Sequence, residues 1–313
     1  MQGNEEHFMR LGMIGLGKMG GNMARRLRAG GIDVVGHDHN PEQAGALEDE
    51  CGLVAAASLE QLVQALEAPR IVWMMLPAGE VTEAVVLSLT ALLDAGDTIV
   101  DGGNANFNDS MRRGEMLAKQ SLDFVDAGVS GGVWGITEGY AMMLGGQEST
   151  IARLRPVLEV LAPGADEGWL HTGPVGSGHF VKMVHNGIEY GMMQAYAEGF
   201  ALMQAREDFG LDLAAIAESW RHGSVVRSWL LDLTAEFLER DQALDDTAPF
   251  VSDSGEGRWT AIEAIEQGVP TPVMSAALMA RFASQGRQDY TAKLLAKMRQ
   301  AFGGHEVQSV EES

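Results

Sequence analysis

Through the first half of the chain, short apolar or β-branched runs alternate with amphipathic stretches. The runs Arg10–Ile14, Asp33–His37, Ile71–Leu76, Thr98–Asp101, Phe124–Asp126 and Ala141–Leu144 predict strands. Between them, Met19–Arg28, Glu80–Leu93 and Asp109–Gln120 repeat apolar residues at i, i+3 and i+4 and predict helices. This is the pattern of βαβ units around a parallel sheet. From about Ser177 the strand signal ends, and helical spacing continues through Leu213–Arg221, Val226–Glu239, Trp259–Glu266, Pro272–Ser284 and Ala292–Phe302. The chain therefore divides into an α/β domain over 1–177 and an all-α domain over 178–313, joined in the Gly-, Pro- and Ser-bearing segment Leu170–Gly178.

One stretch departs from simple amphipathicity. In GHFVKMVHNGIEYG, residues 178–191, helical spacing puts Lys182, His185, Asn186, Glu189 and Tyr190 on one face and Val181, Val184 and Ile188 on another. Periodicity alone fits a solvated polar stripe. The continuation GMMQAYAEGFALM, poor in charge on every side, argues instead for a buried helix, whose polar groups need partners or a ligand.

The 313 residues are enough for two domains, and 46% hydrophobic with 21% charged residues is an ordinary globular composition. A net charge of −22 speaks against nucleic acid as a partner and obliges any anionic small ligand to find a locally basic pocket. Cys51 is the one cysteine, which excludes an intrachain disulfide and a cysteine-rich metal site and suits a reducing compartment. The start MQGNEEHFMR lacks a signal-peptide core, and no apolar run reaches the ~20 residues that span a bilayer. The expectation is a cytoplasmic protein without a membrane partner.

After the first predicted strand comes GLGKMG, residues 15–20, and a helix follows at once. Gly15 allows the tight turn, Gly17 lets backbone amides approach a pyrophosphate at the helix N-terminus, and Gly20 permits close helix–strand packing. Leu16, Lys18 and Met19 complete the loop. The motif in this setting predicts a Rossmann-type dinucleotide-binding domain. Asp38, after the second strand, stands where an acid accepts ribose hydroxyls, which favours NAD and leaves NADP possible through His37 or His39. A plain turn before Asn40-Pro41 accounts for Asp38 equally well. Leu76, Pro77 and Ala78 form a further loop at the carboxyl edge of the sheet, where ligands bind in this architecture.

DGGNANFNDS, residues 101–110, and DAGVSGGVWG, residues 126–135, follow strands at the same edge, and Asn104, Ser130, Gly131 and Gly132 offer amides and hydroxyls to an oxygen-rich ligand. Taken in order, GLGKMG, DGGNANFND, GVSGG, GHFVKMVHNGIEYG and the carboxyl-terminal RQAFGGH resemble the 6-phosphogluconate dehydrogenases over nearly the whole chain. The chain looks like the family's short form. Its GVSGGVWG stands where the long form has GVSGGEEG, which leaves the role of the first of those glutamates open at Val133.

The resemblance implies oxidative decarboxylation of 6-phospho-D-gluconate to D-ribulose 5-phosphate and CO2, with reduction of NAD(P) and no metal. By the same resemblance Lys182 is the general base and Glu189 the general acid, and His185, Asn186, Asn104, Ser130, Gly131 and Gly132 contact the substrate. Tyr190, Arg281, Arg299 and His305 match the phosphate contacts, and Arg258 in GEGRWT stands where the family commonly has a lysine. In family members the Arg–His pair of the tail reaches the neighbouring subunit's site, which implies a homodimer or homotetramer. The chemistry suits these residue types. A base must be neutral to take the C3 hydroxyl proton, and burial disfavours a lysine's ammonium form. Lys182 and Glu189 stand two helical turns apart, roughly 10 Å, which fits opposite ends of a sugar acid. Arginine supplies planar paired donors for phosphate. Judged singly, Arg281 and Arg299 also read as charges complementing a helix dipole. Two other functions stay open: a β-hydroxyacid dehydrogenase for a smaller acid, which would not need the phosphate residues, and a non-catalytic sensor, which would not need acid and base in register.

Overall fold

The computed structural model describes residues 9–287 and 289–303. They form two compact units, Met1–His185 and Asn186–Ser313. The first contains β1 (Arg10–Ile14), α1 (Lys18–Ala29), β2 (Asp33–His37), α2 (Pro41–Cys51), β3 (Val54–Ala55), α3 (Leu59–Gln64), β4 (Ile71–Met74) and α4 (Glu80–Thr90). It continues with β5 (Thr98–Asp101), α5 (Phe107–Ala118), β6 (Asp123–Ser130), α6 (Gly135–Glu138), β7 (Ala141–Gly145), α7 (Glu148–Leu161), β8 (Trp169–Gly173) and the first turns of α8 (Ser177–Gln204).

One sheet runs in the order β3-β2-β1-β4-β5-β6-β7-β8, parallel at every pairing except β6 with β7. Alternation along each strand sends side chains to two separate cores. Leu11, Met13 and Trp73 join Leu27, Leu154 and Leu158 on one face, while Ile14, Val72 and Met74 join Leu62, Leu89 and Leu117 on the other. Local signals fix the helix starts: the Asn40 side chain accepts from Glu42 N–H ahead of Pro41, and Asn106 accepts from Asn108 N–H. The strand order reverses between β2-β1 and β4-β5, so the loops after β1 and β4 diverge and open a crevice at the carboxyl edge.

One expectation changes. Leu170–Gly178 is not simply a linker, because Trp169–Gly173 pairs with β7 as an edge strand, and Thr172 Oγ1 donates to the Leu144 carbonyl at 3.0 Å. The boundary between the two compact units falls within α8, at His185/Asn186. The first turns of that helix lie on the sheet so closely that a Cβ on Gly178 would strike the Asp126 carbonyl and one on Gly128 would strike the Lys182 side chain.

A charged cluster crosses the second face of this unit. Arg113, fully buried, donates Nε to Glu83 at 2.9 Å and Nη1 to Asp101 at 3.2 Å, and the exposed Arg112 pairs with the same Glu83. Hydrogen bonding from Arg112, with a further contribution from Arg113 against the cost of desolvation, pulls the Glu83 carboxyl from 4.5 down to about 2. A folded value below the unfolded one stabilises fully above about 4.5, and that contribution disappears as pH falls towards 2. The Glu83→Gln variant should therefore show a shallower decline of melting temperature over that acid range than the parent. Parallel curves would refute the assignment.

The second unit holds the rest of α8 with α9 (Leu213–Arg221), α10 (Trp229–Arg240), α11 (Glu256–Gln267), α12 (Pro272–Ser284) and α13 (Asp289–Gly303). Asp212 caps α9 and Ser228 caps α10, which is why α10 starts at Trp229 and not at the predicted Val226. Phe200, Leu213, Ala217, Leu231 and Leu238 form one core, and Tyr190, Ala277 and Leu278 a smaller one.

Candidate active site

The β1–α1 turn has the features of a pyrophosphate cradle. Gly15 sits at φ +86°, and a Cβ on Gly20 would collide with the Gly15 carbonyl oxygen, so the helix can pass this close only with glycine there. Gly17 instead faces open space: a Cβ would meet nothing within 4 Å, and as the N-cap of α1 it supplies no side-chain hydrogen bond to the first amides. Donors left open at a helix N-terminus beside a roomy glycine fit a dinucleotide diphosphate. Lys18 is exposed beside it, whereas the Leu16 side chain is in the core and Met19 packs on that core. Leu76 is half-buried, Pro77 and Ala78 are exposed, and Thr82 Oγ1 holds the Pro77 carbonyl at 2.8 Å.

Asp38 is buried, and its carboxylate organises the loop. Oδ2 accepts from Leu16 N–H at 2.7 Å, Oδ1 accepts from Asn40 N–H at 2.9 Å, and the exposed His39 brings Nδ1 to 2.9 Å of Oδ1. A carboxylate has about four acceptor positions, so room remains for ribose hydroxyls.

On the neighbouring strands the loops of the predicted substrate side are placed at the same edge. Asn104 is exposed after β5, in a turn pinned by Gly103 N–H donating to Asp101 Oδ1 at 3.2 Å. Ser130 ends β6, and Gly131 at φ +138° and Gly132 at φ +52° turn the chain immediately after it. Across from them α8 presents Lys182, only 6% exposed. Its Nζ lies 3.5 Å from His185 Nδ1, and His185 Nε2 lies 3.5 Å from Ser130 Oγ, so the histidine stands between hydroxyl and amine. The start of α8 is fixed from below. Asp126 accepts from Gly176 N–H at 2.7 Å and His179 N–H at 2.8 Å, placing a carboxylate at the helix N-terminus. Burial pushes that carboxyl upward against the opposing pull of His179 and the amides.

In the second unit Asn186 and Tyr190 are buried and Glu189 half-buried. The Tyr190 ring carries the Arg281 guanidinium 3.4 Å above its centroid, and Arg281 Nη1 donates to the Ser252 carbonyl at 2.9 Å. Arg258 pairs with the buried Asp253 and stacks at 4.9 Å on Phe282. The structure thus brings Tyr190, Arg258 and Arg281 around the 252–256 loop. Arg299 is exposed on α13, and His305 lies outside the described residues. Sequence reasoning missed Ser254 and Glu256: Ser254 Oγ lies 3.4 Å from the Tyr190 hydroxyl and donates to the buried Glu256 at 2.6 Å. The compact polar run SDSGEG was the available signal.

The polarity of α8 is inverted relative to a solvated stripe. Lys182, Asn186 and Tyr190 face inward, while Val181 and Ile188 are 37% and 52% exposed. Burying a lysine and an asparagine while a valine and an isoleucine are exposed obliges the buried polar groups to find partners. Among the described residues no group of three His, Cys, Asp or Glu side chains could hold a metal ion, and no helix is long and apolar enough to cross a membrane.

Residues 10–173 match the family model described as the NAD binding domain of 6-phosphogluconate dehydrogenase, and residues 178–313 match that of the 6-phosphogluconate dehydrogenase C-terminal domain. The chain belongs to the 6-phosphogluconate dehydrogenase family. It is 42% identical over 300 residues to the NAD(+)-dependent, decarboxylating 6-phosphogluconate dehydrogenase of Haloferax volcanii, covering 96% of this chain and 98% of that one. A decarboxylating 6-phosphogluconate dehydrogenase of Staphylococcus aureus is 36% identical over 293 residues, 89% of this chain, but only 62% of that protein's length is covered. Among solved structures, the 6-phosphogluconate dehydrogenase of Plasmodium falciparum, studied with NADP+ and with 6-phosphogluconate, superposes with a TM-score of 0.82 at 28% identity. That superposition covers 97% of this chain and 67% of the other. The chain thus spans nearly the full length of the first relative and less than two thirds of the second.

Proposed function

We propose that the protein converts 6-phospho-D-gluconate to D-ribulose 5-phosphate and CO2 with reduction of NAD(P), NAD preferred. The observation that carries this reading is the line Ser130–His185–Lys182, with Lys182 buried, at the carboxyl edge of a dinucleotide-binding sheet. Bound nicotinamide supplies the hydride acceptor. Lys182 takes the C3 hydroxyl proton, with His185 and Ser130 orienting the amine and the substrate hydroxyls. Once C3 is a ketone the carboxylate lies β to it, and Lys182 returns its proton to the C3 oxygen as CO2 departs. A cationic lysine there provides electrophilic assistance without a metal. Glu189, seven residues further along α8, protonates C1 of the resulting enediol. Asn104, Gly131, Gly132 and Asn186 hold carboxylate and hydroxyls, and Tyr190, Arg258 and Arg281 take the phosphate. The reading includes a cytoplasmic homodimer or homotetramer in which Arg299 and His305 serve a neighbouring site.

The test follows reduced-cofactor absorbance with purified protein, 6-phosphogluconate and either NAD or NADP. Turnover is expected with NAD at the higher kcat/KM, because the Asp38 carboxylate repels a 2′-phosphate. Absence of turnover with both cofactors would sink the enzymatic reading, and a higher kcat/KM for NADP would remove the role given to Asp38.

A further inference from the structure

We propose that Arg113 is a positioning residue that ties the substrate-side loop to the cofactor-side loop; the inference rests on the function proposed above and adds a residue that touches neither ligand. The two loops lie on one another. A Cβ on Gly103 would strike the Leu76 carbonyl oxygen, and one on Gly102 would strike the Trp73 indole nitrogen. Such contact sets how close the loops come but not their register. The register comes from a chain of charge that is buried at Arg113 and Asp101 and half-buried at Glu83. Gly103 N–H donates to Asp101 Oδ1, Arg113 Nη1 donates to Asp101 Oδ2, and Arg113 Nε donates to Glu83 Oε2, at 3.2, 3.2 and 2.9 Å. Glu83 is in the first turn of α4, directly after the 76–79 loop, and Asn104 follows Gly103.

Arg113 therefore spans from the foot of the cofactor-side loop to the turn that aims Asn104. Its planar fork suits two carboxylates in different directions, which the point charge of a lysine does not reproduce. An arginine and an aspartate with almost no exposure are expensive to keep in an α/β core, where apolar residues of similar volume would pack as well. Their retention at the junction of two ligand-facing loops is explained by alignment of the hydride donor and acceptor, since small misplacements carry large rate costs.

The experiment compares the parent protein with Arg113→Met, the double variant Asp101→Asn/Arg113→Met, and Arg112→Ala. The single variant leaves the Asp101 carboxylate buried and unpaired, so its melting temperature should fall. The double variant removes both charges, keeps an amide-oxygen acceptor for Gly103 N–H, and should recover most of that loss. Its kcat should nevertheless stay about tenfold or more below the parent, with the NAD dissociation constant of the binary complex, read by fluorescence titration, within about threefold. Arg112→Ala, which removes only the exposed partner of Glu83, should keep kcat within about twofold. Recovery of kcat together with melting temperature in the double variant would overturn the positioning role, as would an equal loss in Arg112→Ala. Parent protein that turns over no 6-phosphogluconate fails the functional reading itself, whereas an active parent matched by the double variant fails only this inference.

Discussion

Replacing Lys182 by methionine should lower kcat for 6-phosphogluconate by about three to four orders of magnitude while NAD binding stays near that of the parent. Methionine keeps the length and the apolar stem of lysine, and the close approach to Gly128 involves only the Cβ and Cγ of Lys182. The helix therefore loses an amine without losing its seat on the sheet. The cradle at Gly15 and Gly17 is a separate element, so cofactor affinity reports on the fold independently of the chemistry. Melting temperature read on the same preparation separates any loss of fold from the loss of chemistry. Fluorescence titration with NAD and steady-state rates in the same preparation provide the check. Turnover within about tenfold of the parent would remove Lys182 as the base.

How much of this could be read beforehand depended on whether the local signal and the tertiary demand agreed. β1, β2, β5, α9 and α12 begin and end where periodicity put them; in the three strands the apolar residues are the ones that face the cores. β6 runs from Asp123 to Ser130, well past the predicted Asp126, and the apolar signal breaks there at Ala127-Gly128. That glycine is required because α8 crosses it at Lys182, a long-range reason with no local trace. β8 was hidden by its last residue, Gly173, and by Pro174 and Gly176 just after it, which made the whole segment resemble a linker. α2 carried the legible pair of an Asn40 cap with Pro41 at its start and Gly52 at its end, but only Ala44 and Leu47 are buried along it, too few for a clear helical stripe. In α7 Pro156 interrupts a helical run that tertiary packing of Leu154, Val157 and Leu158 sustains.

The candidate site was legible as a set of residues on one face of α8 but not as to which way that face turns. Spacing places Lys182, Asn186 and Tyr190 together whether they meet water or the interior. The decision lies in close approaches that only glycine permits, Gly128 under α8, Gly178 in its first turn against the Asp126 carbonyl, and Gly257 against the Tyr190 ring. Small residues far apart in sequence make room for large polar ones. The Ser254–Glu256 bridge left only the polar run SDSGEG as a trace, since nothing near it in sequence specifies a tyrosine hydroxyl as its neighbour.

Replacing Arg281 by methionine should raise the KM for 6-phosphogluconate by about 100-fold, equivalent to ~2.8 kcal/mol, while kcat changes by no more than a few-fold. The phosphate keeps its charge throughout the reaction, so a group that grips it binds ground state and transition state alike, and its loss is seen in KM. The phosphate role proposed for Arg281 suits its setting: the Tyr190 ring supports one face of the guanidinium at 3.4 Å, the Ser252 carbonyl takes one N–H, and an arginine fork carries five donors. Arg281→Lys should recover only a small part, since an ammonium neither stacks flat on the ring nor offers paired donors. Arg258 differs in being neutralised by Asp253, so Arg258→Met should cost less, about tenfold or under in KM. Initial rates against 6-phosphogluconate at saturating NAD separate these cases. A loss in Arg281→Met confined to kcat, or a larger KM effect at Arg258 than at Arg281, would show that the Tyr190–Arg281 stack is not what holds the phosphate.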